Sequence, residues 1–154
     1  TGIEMRAVLQ RVSEAAVDIE DMRRAHIGKG LLVLLGIEVG DTESDLEWIC
    51  GKVIRMRIFD DLDGVMNLDI TQVRGEVLLV SQFTLHANTA KGNRPSYMRA
   101  AKADEATPLY LRAKQLFSEL LGRPVRSGEF GANMQVSLVN DGPVTIMIDS
   151  KLRE

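Results

Sequence analysis

The chain has 154 residues, 45% apolar and 27% charged, an ordinary mix for one globular domain with a sizeable core. Its net charge of −3 argues against a protein coated along its length with nucleic acid, and leaves room for a local basic patch. The longest apolar run, Leu31–Leu35, is too short to span a bilayer, and the N-terminus does not read as a secretory leader.

Thr1–Glu4 read as an appended remnant ahead of Met5, so the domain is expected over residues 5–150. Met5–Val12 alternates, with Met5, Ala7, Leu9 and Arg11 on one face and Val8, Gln10 and Val12 on the other. Val17–Ile19 and Ala25–Ile27 read as short strands, turning through Asp21-Met22-Arg23. Gly30–Val39 is almost wholly apolar and reads as a central strand covered on both sides.

A first helix is expected from about Asp41–Ser44. Ser44-Asp45-Leu46-Glu47 has the form of a capping box, with Thr42 as a competing cap. Leu46, Ile49, Cys50, Val53 and Ile54 form its apolar stripe. Cys50 is the one cysteine, so no intrachain disulfide is possible, and on this stripe it reads as an inert buried thiol. A reducing cytoplasm is the expected compartment. Asp60–Asn67 is an acidic turn around Asp63-Gly64, and Val77–Val80 is a second buried strand.

Thr107 is expected to cap a second helix, with Pro108 at its first position and Gly122 as its stop. Leu109, Ala113, Leu116, Phe117, Leu120 and Leu121 give its apolar face. Met134, Val136 and Leu138 alternate with polar residues in a half-buried strand. Asn140–Thr145 then turns the chain into a last strand, Val144–Ile148. The fold class is α+β: a curled, antiparallel-rich sheet or barrel with two main helices packed outside.

Several chemistries lack their residues. There are two histidines, His26 and His86, and no Cys/His cluster with zinc spacing, so no metal is expected. Asp60, Asp61, Asp63 and Asp69 lack the spacing and glutamate of a calcium loop and read as a solvated turn. A nucleophilic triad would need Ser81 or Thr84 with His86. Neighbours on one strand face rarely give the contact that proton transfer needs, and no G-x-S-x-G elbow surrounds Ser81.

Two segments carry the functional signal. Ser81-Gln82-Phe83-Thr84-Leu85 ends the Val77–Val80 strand. It reads either as polar groups satisfying a strand end or as a turn whose backbone N–H groups converge on an oxyanion. Asn140-Asp141-Gly142-Pro143-Val144-Thr145 reads as a tight turn, and its residues alone favour a trans Gly142–Pro143 bond. A cis bond would set the Gly142 and Pro143 carbonyls outward, side by side, as acceptors able to sense a chiral centre.

In this order, with Phe130-Gly131-Ala132-Asn133-Met134 before the second, these segments resemble the D-aminoacyl-tRNA deacylase family. The resemblance extends to Leu9-Gln10-Arg11-Val12, Gly30–Gly36, Met66-Asn67-Leu68 and Arg94-Pro95-Ser96, and runs from Met5 to about Ile148. It implies hydrolysis of the ester between a D-amino acid, or mischarged glycine, and tRNA by a homodimer with no metal or organic cofactor. Ser81, Gln82, Phe83 and Thr84 would form the catalytic segment, with oxyanion donors around Phe83 and Thr84 and help from the RNA 2′-hydroxyl. A cis Gly142–Pro143, held by Arg11, would enter the other subunit's site and reject L-amino acids. Phe130, Ala132 and Met134 would line an adenosine pocket, or be plain core.

Lys91, Arg94, Arg99 and Lys102 fall in a stretch with no acid between Ala87 and Ala103. They are candidate tRNA phosphate contacts, or an ordinary solvated loop. Two rivals stand beside the main reading. One is an L-alanyl-tRNA editor with a trans Gly142–Pro143; the other is a non-catalytic adenosine- or RNA-binding dimer.

Overall fold

In the computed structural model, which describes residues 5–153, alternation along the first strand sorts the two faces of the sheet. Thr1–Glu4, and the expectation placed on them, lie outside the described residues. Strand β1 (Arg6–Ile19) buries Ala7 and Leu9 against the helices, and Val12, Ala15 and Val17 against the inside of the curl. The face changes parity because Ser13 is an extra residue: Val12 pairs with Asn140, but Glu14 pairs with the adjacent Val139. One inserted residue reverses every later side chain, so an odd-numbered run can share the face of Val12.

That bulge also lets β1 continue where two short strands are expected from sequence. Its partner β2 (Met22–Ile27) returns through Glu20 and Asp21, both at positive φ (52° and 62°). A two-residue turn with both φ positive matches the strand twist, so the turn precedes Met22 and Arg23, which belong to β2.

β3 (Gly30–Gly36) pairs antiparallel with β1 and parallel with β6 (Glu76–Ser81). Leu31, Val33 and Leu35 face the helices while Leu32 faces inward, so β3 is covered on both sides as its composition predicts. The sheet order is β2-β1-β3-β6-β7, with β7 (Arg126–Ser127) parallel to β6 and β8 (Gln135–Asp149) on the other edge of β1. β2 also lies against β6 and β7, which nearly closes the sheet into a barrel. A small hairpin of β4 (Phe59–Asp60) and β5 (Met66–Leu68) stands apart. Its acidic turn is bonded internally: Asp61 Oδ1 accepts from the Asp63 and Val65 amides at 2.9 and 3.0 Å.

Helix α1 (Glu43–Arg55) buries the expected stripe, including Cys50, whose thiol burial pushes up to about 12. Thr42, not Ser44, is the cap. Its hydroxyl accepts from the Asp45 amide and Asp45 Oδ2 accepts from the Thr42 amide, at 3.4 and 2.9 Å. Lys151 fixes the buried Asp45 at 2.8 Å, which favours this box over one built on exposed Ser44.

Helix α2 (Ala103–Leu121) starts before Thr107, with Lys102 at its cap position and Pro108 inside. Asp104 and Glu105 favour the early start by facing the positive helix end. Pro108 deprives only the Asp104 carbonyl, at an exposed residue that water can serve. Gly122 (φ 85°) ends the helix as expected. Tyr110, outside the predicted stripe, is buried and donates to the Leu79 carbonyl at 3.1 Å. Leu120 lies largely in solvent.

Just before α1, Asp41 is buried and accepts the Glu38 amide at 2.6 Å. Burial first, with Asp45 and Glu38 nearby, pushes its carboxyl up to about 7. A carboxyl raised on folding stabilises most below its unfolded pKa, near pH 4, and that contribution is lost as pH rises toward and through about 7. Asp41→Asn is therefore expected to raise the melting temperature by about 2–4 °C near pH 8 and to change it little near pH 5. Thermal melts at both pH values check this; curves offset equally at both would contradict it.

Candidate active site

The end of β6 builds the first wall of a cleft. Ser81 pairs with Leu35, and the Gln82 amide donates once more, to the Leu35 carbonyl at 2.8 Å. The backbone then tightens into a 3-10 turn, Phe83–His86. No side chain among the described residues caps it, which leaves the Phe83 and Thr84 amides at its start without a partner inside the turn. The turn is fixed from below. Arg6 Nη1 donates to the Leu85 carbonyl at 3.0 Å, and Asp149 holds Arg6 at 3.2 Å.

Gly36 supports the turn most closely. A Cβ there would lie 3.0 Å from the Gln82 carbonyl oxygen and Leu85 Cβ, and 3.1 Å from His86 Cδ2. His86 is buried beneath, and burial lowers its pKa, keeping it neutral. Neither ring nitrogen has a hydrogen-bond partner of normal geometry among the described residues, so His86 is not placed as a base for Ser81 or Thr84. The Thr84 hydroxyl instead accepts from the Gln82 side-chain amide.

The opposite wall is the loop after β7. Gly131 takes a positive φ of 79°, and the Ala132 amide closes back on the Glu129 carbonyl at 3.2 Å. Phe130 tilts against Tyr110, with ring centroids 5.6 Å apart. The cleft between the walls holds about 390 Å³, the scale of a small-ligand site. Ser81, Gln82 and Phe83 face Phe130, Ala132 and Met134 across it. The two sequence-predicted groups therefore meet in one cavity, and Thr84 follows Phe83 in the turn without lining it.

Arg11, Gly142 and Pro143 form a separate group and do not line this cleft. The predicted turn is not a reversal. β8 is one strand, and Gln10 pairs with Thr145 while Val12 pairs with Asn140. Residues 141–144 thus protrude opposite the single residue Arg11. Asn140 clasps the protrusion's base: its Oδ1 accepts the Val144 amide at 2.8 Å and its Nδ2 donates to the Val144 carbonyl at 3.3 Å.

Arg11 is buried under the protrusion. Its Nε donates to the Asp141 carbonyl at 2.8 Å, and its Nη1 donates to the Ile58 carbonyl at 2.8 Å and to Asp60 Oδ1 at 3.4 Å. Gly142 has φ 144°, a region strained for any side chain, and the Gly142–Pro143 bond is cis.

The four basic candidates separate. Lys91 and Arg94 are exposed on the loop closed by the Asn88–Ser96 bridge, and Lys102 is exposed at the head of α2. Arg99 is anchored, donating through Nε to the buried Glu38 carboxylate at 2.7 Å. Sequence reasoning missed Gly36, Arg6 and Asn140 as supports. A glycine closing an apolar strand, a sign of close backbone approach, was the available signal for Gly36.

The geometry is that of a small-ligand cleft between a strand end and a glycine turn, in which, among the described residues, His86 is not paired with Ser81 or Thr84. A family model described as D-Tyr-tRNA(Tyr) deacylase matches residues 8–149. A protein named D-aminoacyl-tRNA deacylase from Akkermansia muciniphila is 58% identical over 97% of this chain and 100% of its own. One of the same name from Flavobacterium johnsoniae is 53% identical over the same shares. The chain belongs to the D-Tyr-tRNA deacylase family. A solved structure titled as a c-Myc DNA unwinding element binding protein superposes with a TM-score of 0.89 at 36% identity, covering 93% of this chain and 97% of that one. A probable eukaryotic D-amino acid tRNA deacylase shares the fold, with a TM-score of 0.83 at 18% identity over 95% and 99% of the two chains.

Proposed function

We propose that this protein hydrolyses the ester of D-aminoacyl-tRNA, and of mischarged glycyl-tRNA, as a cytoplasmic homodimer needing no metal or organic cofactor. One observation carries the reading: a single cleft joins Phe83, the first residue of the uncapped turn, to the Phe130–Met134 wall. The terminal adenosine would lie against Phe130, Ala132 and Met134, placing its acyl carbonyl at the turn. Water attacks that carbonyl, the oxyanion forms at the Phe83 and Thr84 amides, and the ribose 3′-oxygen leaves with a proton. A well-placed donor of this kind lowers the barrier by about 3–4 kcal/mol. The neighbouring 2′-hydroxyl helps to activate the water.

Chiral selection is assigned to Gly142 and Pro143 of a second copy, whose carbonyls would meet the α-amino group and leave no room for an L side chain. Two features support this arrangement. The protrusion does not line its own cleft, and β8, which among the described residues pairs with β1 alone, leaves Val139 and Met147 exposed. Glycine passes because it has no side chain to reject. Lys91, Arg94 and Lys102, all exposed, would meet acceptor-stem phosphates, while Arg99 is held by the Glu38 carboxylate. No helix among the described residues is long and apolar enough to cross a membrane.

Thr84→Ala is expected to keep kcat within about tenfold of the parent, because backbone and RNA carry the chemistry. D-tyrosyl-tRNA ending in 2′-deoxyadenosine should be cleaved far more slowly by the parent. Complete loss in Thr84→Ala with substrate still bound, or full activity on the deoxy substrate, would overturn this mechanism.

A further inference from the structure

Phe83, which lines the cleft, and the nearby chain at Tyr97-Met98 expose large apolar side chains to solvent. Phe83 is 56% exposed, Tyr97 38% and Met98 89%. The Phe83 and Tyr97 rings meet edge to face, with centroids 5.1 Å apart and planes at 76°. In that arrangement each ring orients the other while both stay partly exposed. Both rings stand on fixed backbone. Phe83 belongs to the 3-10 turn, and Tyr97 to a loop held where the Val39 amide donates to the Arg99 carbonyl and the Ala101 amide to the Ile37 carbonyl, each at 2.9 Å.

We propose that the Phe83–Tyr97 pair is a stacking platform for the base of the penultimate nucleotide of the substrate RNA. The proposal rests on the deacylase reading. A cleft of about 390 Å³ is filled by one aminoacylated nucleoside, so the next base must sit outside it. The strand has two rims to cross. Beyond the Phe130–Asn133 loop lies a depression lined by Glu20 and Glu129, where Arg24 offsets Glu129 at 3.3 Å. That rim opposes a phosphate. Tyr97 belongs to the acid-free stretch that also carries exposed Lys91 and Arg94, and a rim of that charge draws the backbone past the rings. Aromatic platforms beside cationic loops are how single strands are held without sequence readout.

The test compares two substrates, D-tyrosyl-tRNA and the minimal ester 3′-O-D-tyrosyl-adenosine, in the parent, Tyr97→Ala and Tyr97→Phe. Tyr97→Ala is expected to raise KM for the tRNA about tenfold, within the range that loss of base stacking produces. The ratio of kcat/KM for tRNA to that for the minimal ester should fall by the same factor, and Tyr97→Phe should restore it. A tRNA abasic at the penultimate position should show the same loss with the parent, and no further loss with Tyr97→Ala. An equal fall on both substrates would mean that Tyr97 acts through the catalytic turn, and would overturn the proposal. So would no change on either substrate, or additive losses. A parent protein that cleaves neither ester is a separate result: it overturns the deacylase reading, and the platform with it.

Discussion

Arg11→Ala is expected to lower the melting temperature by roughly 5–10 °C and to abolish discrimination between D- and L-aminoacyl esters. Arg11 is buried and serves the Asp141 carbonyl on the protrusion and the Ile58 carbonyl beside the β4–β5 hairpin. Removing it leaves both acceptors without their charged donor, and a buried unsatisfied group costs about 1–3 kcal/mol. Each kcal/mol shifts the melting temperature of a domain this size by about 2–4 °C. The functional loss follows from the same bonds. The protrusion is closed at its base by Asn140 and gripped on one side by Arg11. Without the grip, the Gly142 and Pro143 carbonyls no longer hold one position, and rejection of an L side chain needs a fixed obstacle. Arg11→Lys is the control, since one ammonium reaches one of the two carbonyls and should restore part of the stability. Thermal melts with D- and L-ester kinetics check both halves. A variant as stable and as selective as the parent would remove Arg11 from the account.

Gly36→Ala is expected to lower kcat by about 10- to 100-fold, with KM little changed. The added Cβ meets the Gln82 carbonyl oxygen, Leu85 Cβ and His86 Cδ2 at 3.0–3.1 Å. Each contact is tight rather than impossible, so the turn shifts by a few tenths of an ångström and the fold survives. Those three residues flank the Phe83 and Thr84 amides, so the shift moves the proposed oxyanion donors and leaves the Phe130–Met134 wall in place. Loss confined to kcat is the signature of an interaction made in the transition state. A rise in KM with kcat intact would place the turn in substrate binding instead.

Much of this architecture is legible in local pattern. The α1 stripe, the doubly covered β3 and the Gly122 stop depend on spacing and single-residue preference, which a sequence displays directly. The misplaced boundaries share another cause. The Ser13 bulge and the protrusion of residues 141–144 exist only in the pairing of β1 with β8, strands more than a hundred residues apart in sequence. Seen locally, the same residues look like ends and turns. Thr42 prevails over Ser44 because Lys151 arrives from the far end of the chain. At the site, the two motif groups Ser81–Phe83 and Phe130–Met134 line one cleft, since each closes a strand or a tight loop. Of the supports, Gly36 left only the sign of a glycine at a strand end, while Arg6 and Asp149 act through contacts between distant segments that local pattern does not display.

The most direct test of the central claim is paired deacylation of D-tyrosyl-tRNA and L-tyrosyl-tRNA, run with EDTA and repeated without it. The account predicts rapid release of D-tyrosine in both conditions, while the L-ester decays only as fast as in buffer. Cleavage of both esters at one rate, activity only when EDTA is omitted, or no cleavage beyond buffer in either condition would contradict it.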